Sequence, residues 1–282
     1  MRRPHYDGTA TTWRDVYQSA DPFGRRMQRR RDAVVAAVQE RLGDRRTLIL
    51  DAGCGTGEVA RLLAGVGYRV VGLDRSAEMV REAGESRLAV DEAPVLLQGD
   101  VERLPFRSGS FAAVLCVGVL GYLLPRRRGS RPEDAALSAL SELVRVLRPG
   151  GFLVITAPNL IRLHWILDPL QLWRALRHQT RLRTQVDDSS GKGAAAPADT
   201  TIEPWRTWRW TPRQLRRLLA GRRLRIVEWS GIGFGPFSIL GRSVFSAERS
   251  VWISSRLEGL ARRSGLRFLS QLAATWLITL AR

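Results

Sequence analysis

The sequence has little lysine, cysteine and histidine, and each shortage narrows the range of functions. Lys192 is the only lysine among 282 residues, although the formal net charge is +18. The two cysteines and three histidines lie too far apart for a disulfide framework or a metal site, so we expect neither. A basic chain can indicate nucleic-acid binding, but here the charge is almost all arginine and is spread along the chain. Such a bias is typical of a GC-rich genome, and we expect nucleic acid not to be the partner.

Long apolar runs are also missing. No segment holds the eighteen or so consecutive apolar residues of a membrane-spanning helix. Residues 1–7 carry no apolar stretch of the kind found in secretory signals. The expected location is therefore the cytoplasm. Hydrophobic residues still make up 44% of the chain, which is enough for a sizeable core.

Short apolar segments alternate with helical patterns from Thr47 onward. Near-continuous apolar strands separated by helices are typical of a mainly parallel sheet covered on both faces, so the predicted fold class is α/β. The residues of Thr211-Pro212-Arg213-Gln214 predict a helix start with a capping box. The predicted strands cover residues 47–50, 69–73, 95–97, 111–120, 152–155, 224–229 and 275–280, and helices are predicted at 58–64 and 133–147 and around Trp252.

Residues 1–46 are predicted to form an N-terminal helical arm or lid before the core of residues 47–158. Val34, Val35, Val38 and Leu42 mark its buried side. The opposite face carries Arg25, Arg26, Arg29 and Arg30, which are either solvated or an anionic contact near the active-site entrance. The arm also carries Tyr6, Trp13 and Tyr17, which either close over the site or simply pack.

Residues 159–210 interrupt the strand–helix alternation and are predicted to be an inserted helical cap. Its stretch 187–194 is polar and predicted to be flexible, and residues 211–282 then complete the sheet. Arginine and tryptophan around an apolar surface suit a membrane interface, so we expect peripheral contact with membrane lipid; the alternative is a cap that packs on the sheet. The apolar residues of the cap are Leu160, Leu163, Ile166, Leu167, Leu170, Leu172, Trp173 and Leu176, flanked by Arg162, Arg174, Arg177, Arg181 and Arg183.

The segment with the most chemical information is Leu50-Asp51-Ala52-Gly53-Cys54-Gly55-Thr56-Gly57, between the first strand and the first helix. Glycines there let a ligand approach the backbone, and free N–H groups at the helix start can meet its polar atoms. A dinucleotide site would need a third glycine where Glu58 stands, and a P-loop would need a following Gly-Lys-Ser/Thr. The Asp51 carboxylate would repel a pyrophosphate but suits a ligand with an ammonium and a sulfonium, which predicts S-adenosylmethionine.

Two further carboxylates end the next two strands. Asp74 can accept hydrogen bonds from both ribose hydroxyls. Asp100, in Gly99-Asp100-Val101, can take an adenine amino group while Val101 covers the ring. Ligands of open α/β sheets bind outside the carboxyl ends of the strands, where all three carboxylates are expected. Asp74 and Asp100 also have structural alternatives. Asp74 could be a helix cap near Ser76, and Asp100 could be an ordinary turn residue.

With these residues, the chain resembles the class I S-adenosylmethionine-dependent methyltransferases, a family whose large bacterial group includes quinone, lipid and natural-product methyltransferases. Residues 51–57, Asp74, residues 99–106 and residues 143–151 carry the resemblance. It implies a Rossmann-like seven-stranded sheet with an antiparallel last strand, and S-adenosylmethionine as cofactor, with Cys116 or Val117 near its methionine portion. The predicted cofactor-binding residues are Asp51, Gly53, Gly55, Gly57, Asp74, Arg75, Asp100, Val101, Cys116 and Val117.

The acceptor is less well defined, because methyl transfer needs alignment and a dry pocket more than a fixed catalytic motif. We expect a small-molecule or lipid-like acceptor methylated at oxygen. The candidate catalytic residues are Tyr122, after the fourth strand, and His164 in the cap, which is alternatively a packed or surface histidine.

Three alternatives to this function stay open. A nucleic-acid (RNA) methyltransferase is one, although the chain lacks the Asp/Asn-Pro-Pro-Tyr/Phe motif and a Pro-Cys nucleophile. A non-catalytic S-adenosylmethionine-binding protein and a protein methyltransferase are the others. The sequence makes no prediction of the oligomeric state.

Overall fold

Helices and strands alternate over most of the chain, as the sequence pattern predicts. The computed structural model describes residues 8–85, 93–123, 130–184, 207–222, 224–235, 237–239 and 242–282. The helices are α1 (Ala10–Gln18), α2 (Pro22–Gln39), α3 (Glu58–Gly65), α4 (Ala77–Glu85), α5 (Pro132–Val146), α6 (Leu163–Ile166), α7 (Pro169–Thr184), α8 (Pro212–Leu219) and α9 (Ala247–Ala261), with a 3-10 helix at Ser264–Leu272. The strands are β1 (Leu48–Ala52), β2 (Arg69–Asp74), β3 (Val95–Gln98), β4 (Phe111–Cys116), β5 (Leu147–Pro158), β6 (Arg225–Ile232), β7 (Ser238–Ile239), β8 (Arg242–Ser243) and β9 (Thr275–Ala281).

The strands of the described residues form a seven-stranded sheet in the order β3-β2-β1-β4-β5-β9-β6, and β7 pairs with β8 alone. The first five strands are parallel to one another, whereas β9 runs antiparallel to its neighbours β5 and β6. This confirms the predicted Rossmann-like fold with an antiparallel last strand. The ends at which β1 to β6 finish lie together along one side of the sheet, which we call the carboxyl edge.

Alternate residues of each strand face two different helical layers. In β1, Ile49 packs with residues of α2 and α3, whereas Leu50 packs with residues of α5 and α8. Val34 and Val38 of α2 are fully buried in the first layer, as their helical spacing predicts. The sheet is therefore covered on both faces, and a ligand reaches it at the carboxyl edge.

The fourth strand is shorter than the predicted 111–120. It ends at Cys116 because Gly118 has a φ of +72°, a conformation that favours glycine and interrupts extended backbone. The Gly118 N–H donates to Thr156 Oγ1 at 2.7 Å. Residues 119–122 then turn back, with the Tyr122 N–H donating to the Val119 carbonyl at 2.8 Å. This turn brings Tyr122 to the carboxyl edge.

The fifth strand is longer than the predicted 152–155, and α5 ends at Val146 rather than at residue 147. Leu147 pairs with Phe111 of β4 across a bulge, and the Gly151 carbonyl accepts from the Arg282 N–H at 3.0 Å. The strand therefore begins at Leu147, before the predicted start at residue 152.

Outside the sheet, several predicted elements are present and two were not predicted. The capping box of α8 is confirmed, because Thr211 Oγ1 accepts from the Gln214 N–H at 3.3 Å and Gln214 Oε1 accepts from the Thr211 N–H at 2.9 Å. The 3-10 helix and the β7–β8 pair lack a clear apolar period and were missed. The predicted flexible stretch 187–194, with His5 and Tyr6, lies outside the described residues. Of the helices described, none combines the length and apolarity that crossing a membrane requires.

Candidate active site

The loop after β1 is held in place by the neighbouring strand. The N–H groups of Gly53 and Cys54 both donate to the Leu73 carbonyl, at 2.6 and 3.0 Å. Gly53 has a φ of +82°, and a Cβ there would overlap Val119. At Gly55, by contrast, a Cβ would meet no atom within 4 Å. The loop is therefore tightly packed on one side and leaves space for a ligand beside Gly55.

Asp51 is a buried carboxylate, and one of its oxygens accepts no hydrogen bond from the described residues. It is 1% exposed, and its Oδ2 has no hydrogen-bond partner among the described residues. Burial, followed by the nearby Asp74 carboxylate, raises the pKa of Asp51 to about 7, against the opposing effects of the Ala60 N–H and Arg30. A buried polar oxygen without a partner costs free energy. An ammonium group would supply both the missing donor and the missing charge.

Asp74 connects the end of β2 to the glycine loop. Its Oδ2 accepts from the Gly55 N–H and its Oδ1 from the Ser76 N–H, both at 2.9 Å. Ser76, rather than Asp74, caps α4, since its Oγ accepts from the Met79 N–H at 3.3 Å. A carboxylate offers about four lone-pair positions, so these bonds are compatible with hydrogen bonds from ribose hydroxyls.

Asp100 and Arg75 lie further along the carboxyl edge. Asp100 is half-buried in a turn, where its Oδ1 accepts from the Glu102 N–H at 3.0 Å, and Val101 is buried beside it. Arg75 is exposed, and its carbonyl accepts from Gln98 Nε2 at 3.2 Å. The turn role expected as the alternative for Asp100 is therefore present, and the carboxylate stands at the edge.

Cys116 and Val117, at the end of β4, differ in accessibility. Cys116 is fully buried, and burial raises the pKa of its thiol to about 12. Its side chain packs in the core, so only its backbone borders the carboxyl edge. Val117 is half-buried and keeps accessible surface there. Val117 is thus the better placed of the two for contact with a ligand.

These residues fit S-adenosylmethionine. The unpartnered Asp51 Oδ2 suits an ammonium, the space beside Gly55 allows close approach to the backbone, and the Asp74 carboxylate stands next to that space. Ten predicted residues, dispersed from 51 to 117 in the sequence, thus lie along four strand ends and their loops. Among the described residues, no group of three potential metal ligands is found.

The other half of the carboxyl edge carries arginines that were not predicted as site residues. Arg26 and Arg30 lie on α2, Arg162 precedes α6 and Arg209 precedes α8. Arg162 was expected to flank an apolar cap surface, but it is half-buried and its Nε donates to the Asn159 carbonyl at 2.8 Å. We call Arg26, Arg30, Arg162 and Arg209 the arginine cluster.

Asn159, also missed, holds the chain where the cap begins. It is fully buried, and its Nδ2 donates to the carbonyls of Ile161, Gln271 and Ala273 at 2.6 to 2.8 Å. Its signal in the sequence is a lone polar amide immediately after an apolar strand.

The candidate catalytic residues have different surroundings. Tyr122 is half-buried and interacts electrostatically with Arg26 and Arg209. His164 lies in α6, but its side chain is outside the described part of the structure. From the arm, the Tyr17 hydroxyl accepts from Arg30 Nη2 at 2.8 Å. Trp13 packs against Phe23 within the arm, with ring centroids 6.3 Å apart.

Comparisons with known proteins agree with this site. The methyltransferase domain family model matches residues 50–155. Demethylmenaquinone methyltransferase of Beutenbergia cavernae is 38% identical over 125 residues, 44% of this chain and 45% of that protein. Malonyl-[acyl-carrier protein] O-methyltransferase of Enterobacter lignolyticus is 34% identical over 163 residues, 57% of this chain and 55% of that protein. The chain therefore spans about half the length of these curated relatives.

The fold has solved counterparts over nearly the whole chain. Magnesium protoporphyrin IX methyltransferase from Synechocystis PCC 6803, crystallised with bound S-adenosylhomocysteine, matches with a TM-score of 0.61 and 18% identity. The match covers 99% of this chain and 97% of that one. The match over residues 50–155 and the shared fold agree with the predicted resemblance to the methyltransferases and with S-adenosylmethionine as the predicted cofactor.

Proposed function

We propose that the chain transfers a methyl group from S-adenosylmethionine to an oxygen atom of a small-molecule or lipid-like acceptor. The observation that carries this proposal is the buried Asp51 Oδ2 without a partner, next to open space at Gly55. When bound, S-adenosylmethionine supplies a methyl group on a sulfonium, which is displaced in line by a nucleophile.

The predicted cofactor residues divide the binding between them. Asp51 would pair with the ammonium, Asp74 would accept from the ribose hydroxyls, and Asp100 would accept from the adenine amino group. Val101 and Val117 would form apolar walls. All of these groups lie on loops fixed by rigid strands, which favours a preorganised site.

On the acceptor side, Tyr122 is the proposed positioning residue. Its hydroxyl would hydrogen-bond the acceptor oxygen and orient it. Trp208 and Trp210 are buried with ring centroids 6.3 Å apart, and the Trp208 N–H donates to the carbonyl of Gly121, next to Tyr122, at 2.6 Å. The named relative that is an O-methyltransferase supports oxygen as the acceptor atom.

The proposal is tested first by calorimetric binding of S-adenosylmethionine and S-adenosylhomocysteine. We expect micromolar binding by the wild type and near-complete loss for Asp74→Ala. Asp32→Ala is the matched control, because Asp32 is an exposed carboxylate that pairs with Arg31 at 2.8 Å on the surface. Absence of binding by folded wild-type protein would contradict the proposal.

The second test is transfer of an isotope-labelled methyl group to pools of small acids, phenols and lipids, with product analysis of the methylated atom. Transfer to oxygen is expected. Transfer to RNA instead would favour the alternative acceptor class. Binding without transfer to any class would favour a non-catalytic cofactor-binding protein.

Contact with a membrane surface is proposed for α6 and α7. Leu167 and Trp173 are 53% and 55% exposed, Ile166 and Leu176 are also exposed, and the Arg177 guanidinium lies 5.2 Å from the Trp173 ring centroid. Exposed apolar side chains beside arginine suit an anionic lipid surface.

Flotation with phosphatidylglycerol vesicles tests this contact. Binding at low salt should weaken in Trp173→Ala, while Val95→Ala, which changes an exposed apolar residue on β3, should bind like the wild type. No flotation of wild-type protein at low salt would contradict it.

A further inference from the structure

The outer side of α9 carries aromatic and basic side chains at helical spacing. Arg249, Trp252 and Arg256 follow one another at intervals of three and four residues, so they share one side of the helix. All three are exposed, and the Arg256 guanidinium lies 5.3 Å from the Trp252 ring centroid. Ser250 and Ser254, on the other side of the helix, are buried. The side of α9 that faces solvent is therefore the one with the tryptophan and the arginines.

The 3-10 helix at Ser264–Leu272 adds a second exposed aromatic side chain. It packs on α9, since Ile253 of α9 and Leu269 of the 3-10 helix lie in one apolar cluster around Phe234. Phe268, next to Leu269, is 63% exposed, and Trp252 is 60% exposed. Among the described residues these are the two most exposed large apolar side chains. Their contact with water is unfavourable until another apolar phase covers them.

The charge of this segment has predominantly one sign. Residues 247–272 contain two glutamates, and one of them, Glu258, turns inward, where its Oε1 accepts from the Gly233 N–H at 2.8 Å and lies 3.2 Å from Arg29 Nη1. Five exposed arginines stand against the remaining glutamate, and within the described residues none of the five forms an ion pair. These arginines are Arg249, Arg256, Arg262, Arg263 and Arg267. We call them, together with Trp252 and Phe268, the α9 face.

The α9 face adjoins the half of the carboxyl edge where the acceptor is proposed to bind. Phe234 follows the end of β6, and its N–H donates to Ser254 Oγ in the middle of α9 at 3.0 Å. The 3-10 helix leads into β9, whose first residue, Thr275, pairs with Ile232 at the end of β6. Leu163 of α6 packs against the same apolar cluster as α9. The α9 face is therefore fixed to the end of the sheet that lies furthest from β3.

Aromatic and guanidinium groups in alternation match the boundary between lipid headgroups and acyl chains. Tryptophan prefers this boundary because its ring is apolar and its N–H is polar. Arginine keeps its charge beside the phosphates, and each basic side chain near an anionic surface adds to the attraction. A single-stranded nucleic acid would instead need an uncovered aromatic ring for base stacking, whereas Arg256 lies over the Trp252 ring. The chemistry of the α9 face thus favours lipid.

We propose that the α9 face binds an anionic lipid bilayer, with Trp252 and Phe268 at the level of the headgroups and the five arginines on the lipid phosphates. This inference goes beyond the proposed function, because it requires no methyl transfer. It also concerns a surface separate from α6 and α7. With the contact proposed for those helices, it turns the acceptor half of the carboxyl edge towards the bilayer.

The test is flotation of the full chain with vesicles of equal parts phosphatidylcholine and phosphatidylglycerol, and with vesicles of phosphatidylcholine alone. Wild-type protein should float with the anionic vesicles at low salt and stay unbound with the neutral ones. The double variant Arg262→Gln/Arg263→Gln should lower the partition coefficient about twentyfold, which is about fivefold for each charge. Its matched control is Arg69→Gln/Arg148→Gln, which removes two exposed arginines near the starts of β2 and β5 and should bind like the wild type.

A second readout follows the tryptophan itself. Trp252→Ala should lower the partition coefficient about tenfold, because an aromatic side chain no longer enters the interface. Trp252→Phe keeps an apolar ring and should float nearly like the wild type. With brominated acyl chains in the vesicles, the fluorescence quenched on binding should be smaller in Trp252→Phe than in the wild type. All the altered side chains are exposed, so the melting temperatures should stay unchanged.

Several results would overturn the proposal. They are the absence of flotation with anionic vesicles, equal binding to neutral vesicles, and unchanged binding in both the double arginine variant and Trp252→Ala. Complete loss of binding in Trp173→Ala alone would assign the contact to α7. Displacement of the protein from vesicles by a single-stranded RNA that binds more tightly would assign the α9 face to nucleic acid. Binding of S-adenosylhomocysteine, measured on the same preparation, tests the proposed function separately, and its failure would leave the vesicle result unaffected.

Discussion

The two halves of the carboxyl edge carry opposite charge. At β1 to β3 the edge carries the carboxylates Asp51, Asp74 and Asp100, whereas towards β5 and β6 it carries the arginine cluster. Among the described residues, Asp51 Oδ2 has no hydrogen-bond partner, and the same is true of the Nε atoms of Arg26 and Arg30. The acidic half thus has room for a positively charged partner, whereas the other half already concentrates positive charge.

The net charge of +18 does not reveal this separation of negative and positive side chains along the carboxyl edge. The surface charge of the chain says little about its small-molecule ligands, because most arginines pair with nearby carboxylates or face solvent. The informative charges are the few that are buried without a partner. Among them, the buried Asp51 Oδ2 supports the proposed binding of a cationic cofactor.

The largest effect is expected for Asp51→Asn. The variant keeps the shape of the side chain but loses the charge that would pair with an ammonium, so binding of S-adenosylmethionine should weaken about 100-fold. Calorimetry measures this, with Asp32→Asn as the surface control. Unchanged affinity would show that the acidic half does not hold the cofactor through Asp51.

The same variant should remove a pH dependence of stability. In the folded protein the pKa of Asp51 is raised to about 7, above its usual value near 4. The contribution of Asp51 is therefore most favourable below about pH 4 and is lost as the pH rises to about 7. Without cofactor, Asp51→Asn should gain melting temperature relative to wild type across that range, as scanning calorimetry would show. A constant difference between pH 4 and 8 would contradict the raised pKa.

A smaller effect, on stability, is expected for Asn159→Ala. The change leaves three carbonyls without the donor of a fully buried side chain, and we expect the free energy of unfolding to fall by about 2 kcal/mol. Urea unfolding measures it, and Asn159→Asp separates loss of the donor from loss of volume. Cofactor affinity should stay within about twofold, since Asn159 supports only the basic half. A parallel loss of cofactor binding would show that the two halves are coupled.

The smallest effect is expected for Tyr122→Phe. Loss of one hydroxyl that orients the acceptor should lower kcat about tenfold and leave the Kd of S-adenosylmethionine unchanged. Single-turnover methyl transfer to the acceptor found by screening measures this. If Tyr122→Phe transfers methyl groups as fast as the wild type, the Tyr122 hydroxyl does not orient the acceptor.

The acidic half could be predicted from the sequence because its determinants are local. Strand, glycine loop and helix follow each other within residues 48–65, and Asp74 and Asp100 each stand at or directly after a strand end. In a parallel sheet these ends must meet on one side. The antiparallel β9, by contrast, came from the family resemblance rather than from any local pattern, and the order of the strands was not predicted.

The basic half could not be predicted because its residues are far apart in the sequence and belong to no common motif. Residues 26 and 30 meet 162 and 209 only through the folded chain, and in an arginine-rich sequence no single arginine stands out. The pattern on α2 left two possibilities, a solvated face or an anionic contact. The structure divides that face: Arg25 is exposed and Arg29 pairs with Glu258, while Arg26 and Arg30 turn towards the edge.

The position of β9 between β5 and β6 has a consequence for the order of assembly. Within the described residues, β6 joins the sheet through β9, with registers such as Trp229 with Ile278 and Ile232 with Thr275. During synthesis β6 leaves the ribosome before β9, so it must wait for residues 275–281 before it can pair. Late, long-range pairing of this kind slows folding and exposes strand edges in the meantime. The last step of assembly therefore also sets Gly233 against Arg26 and closes the basic half of the edge.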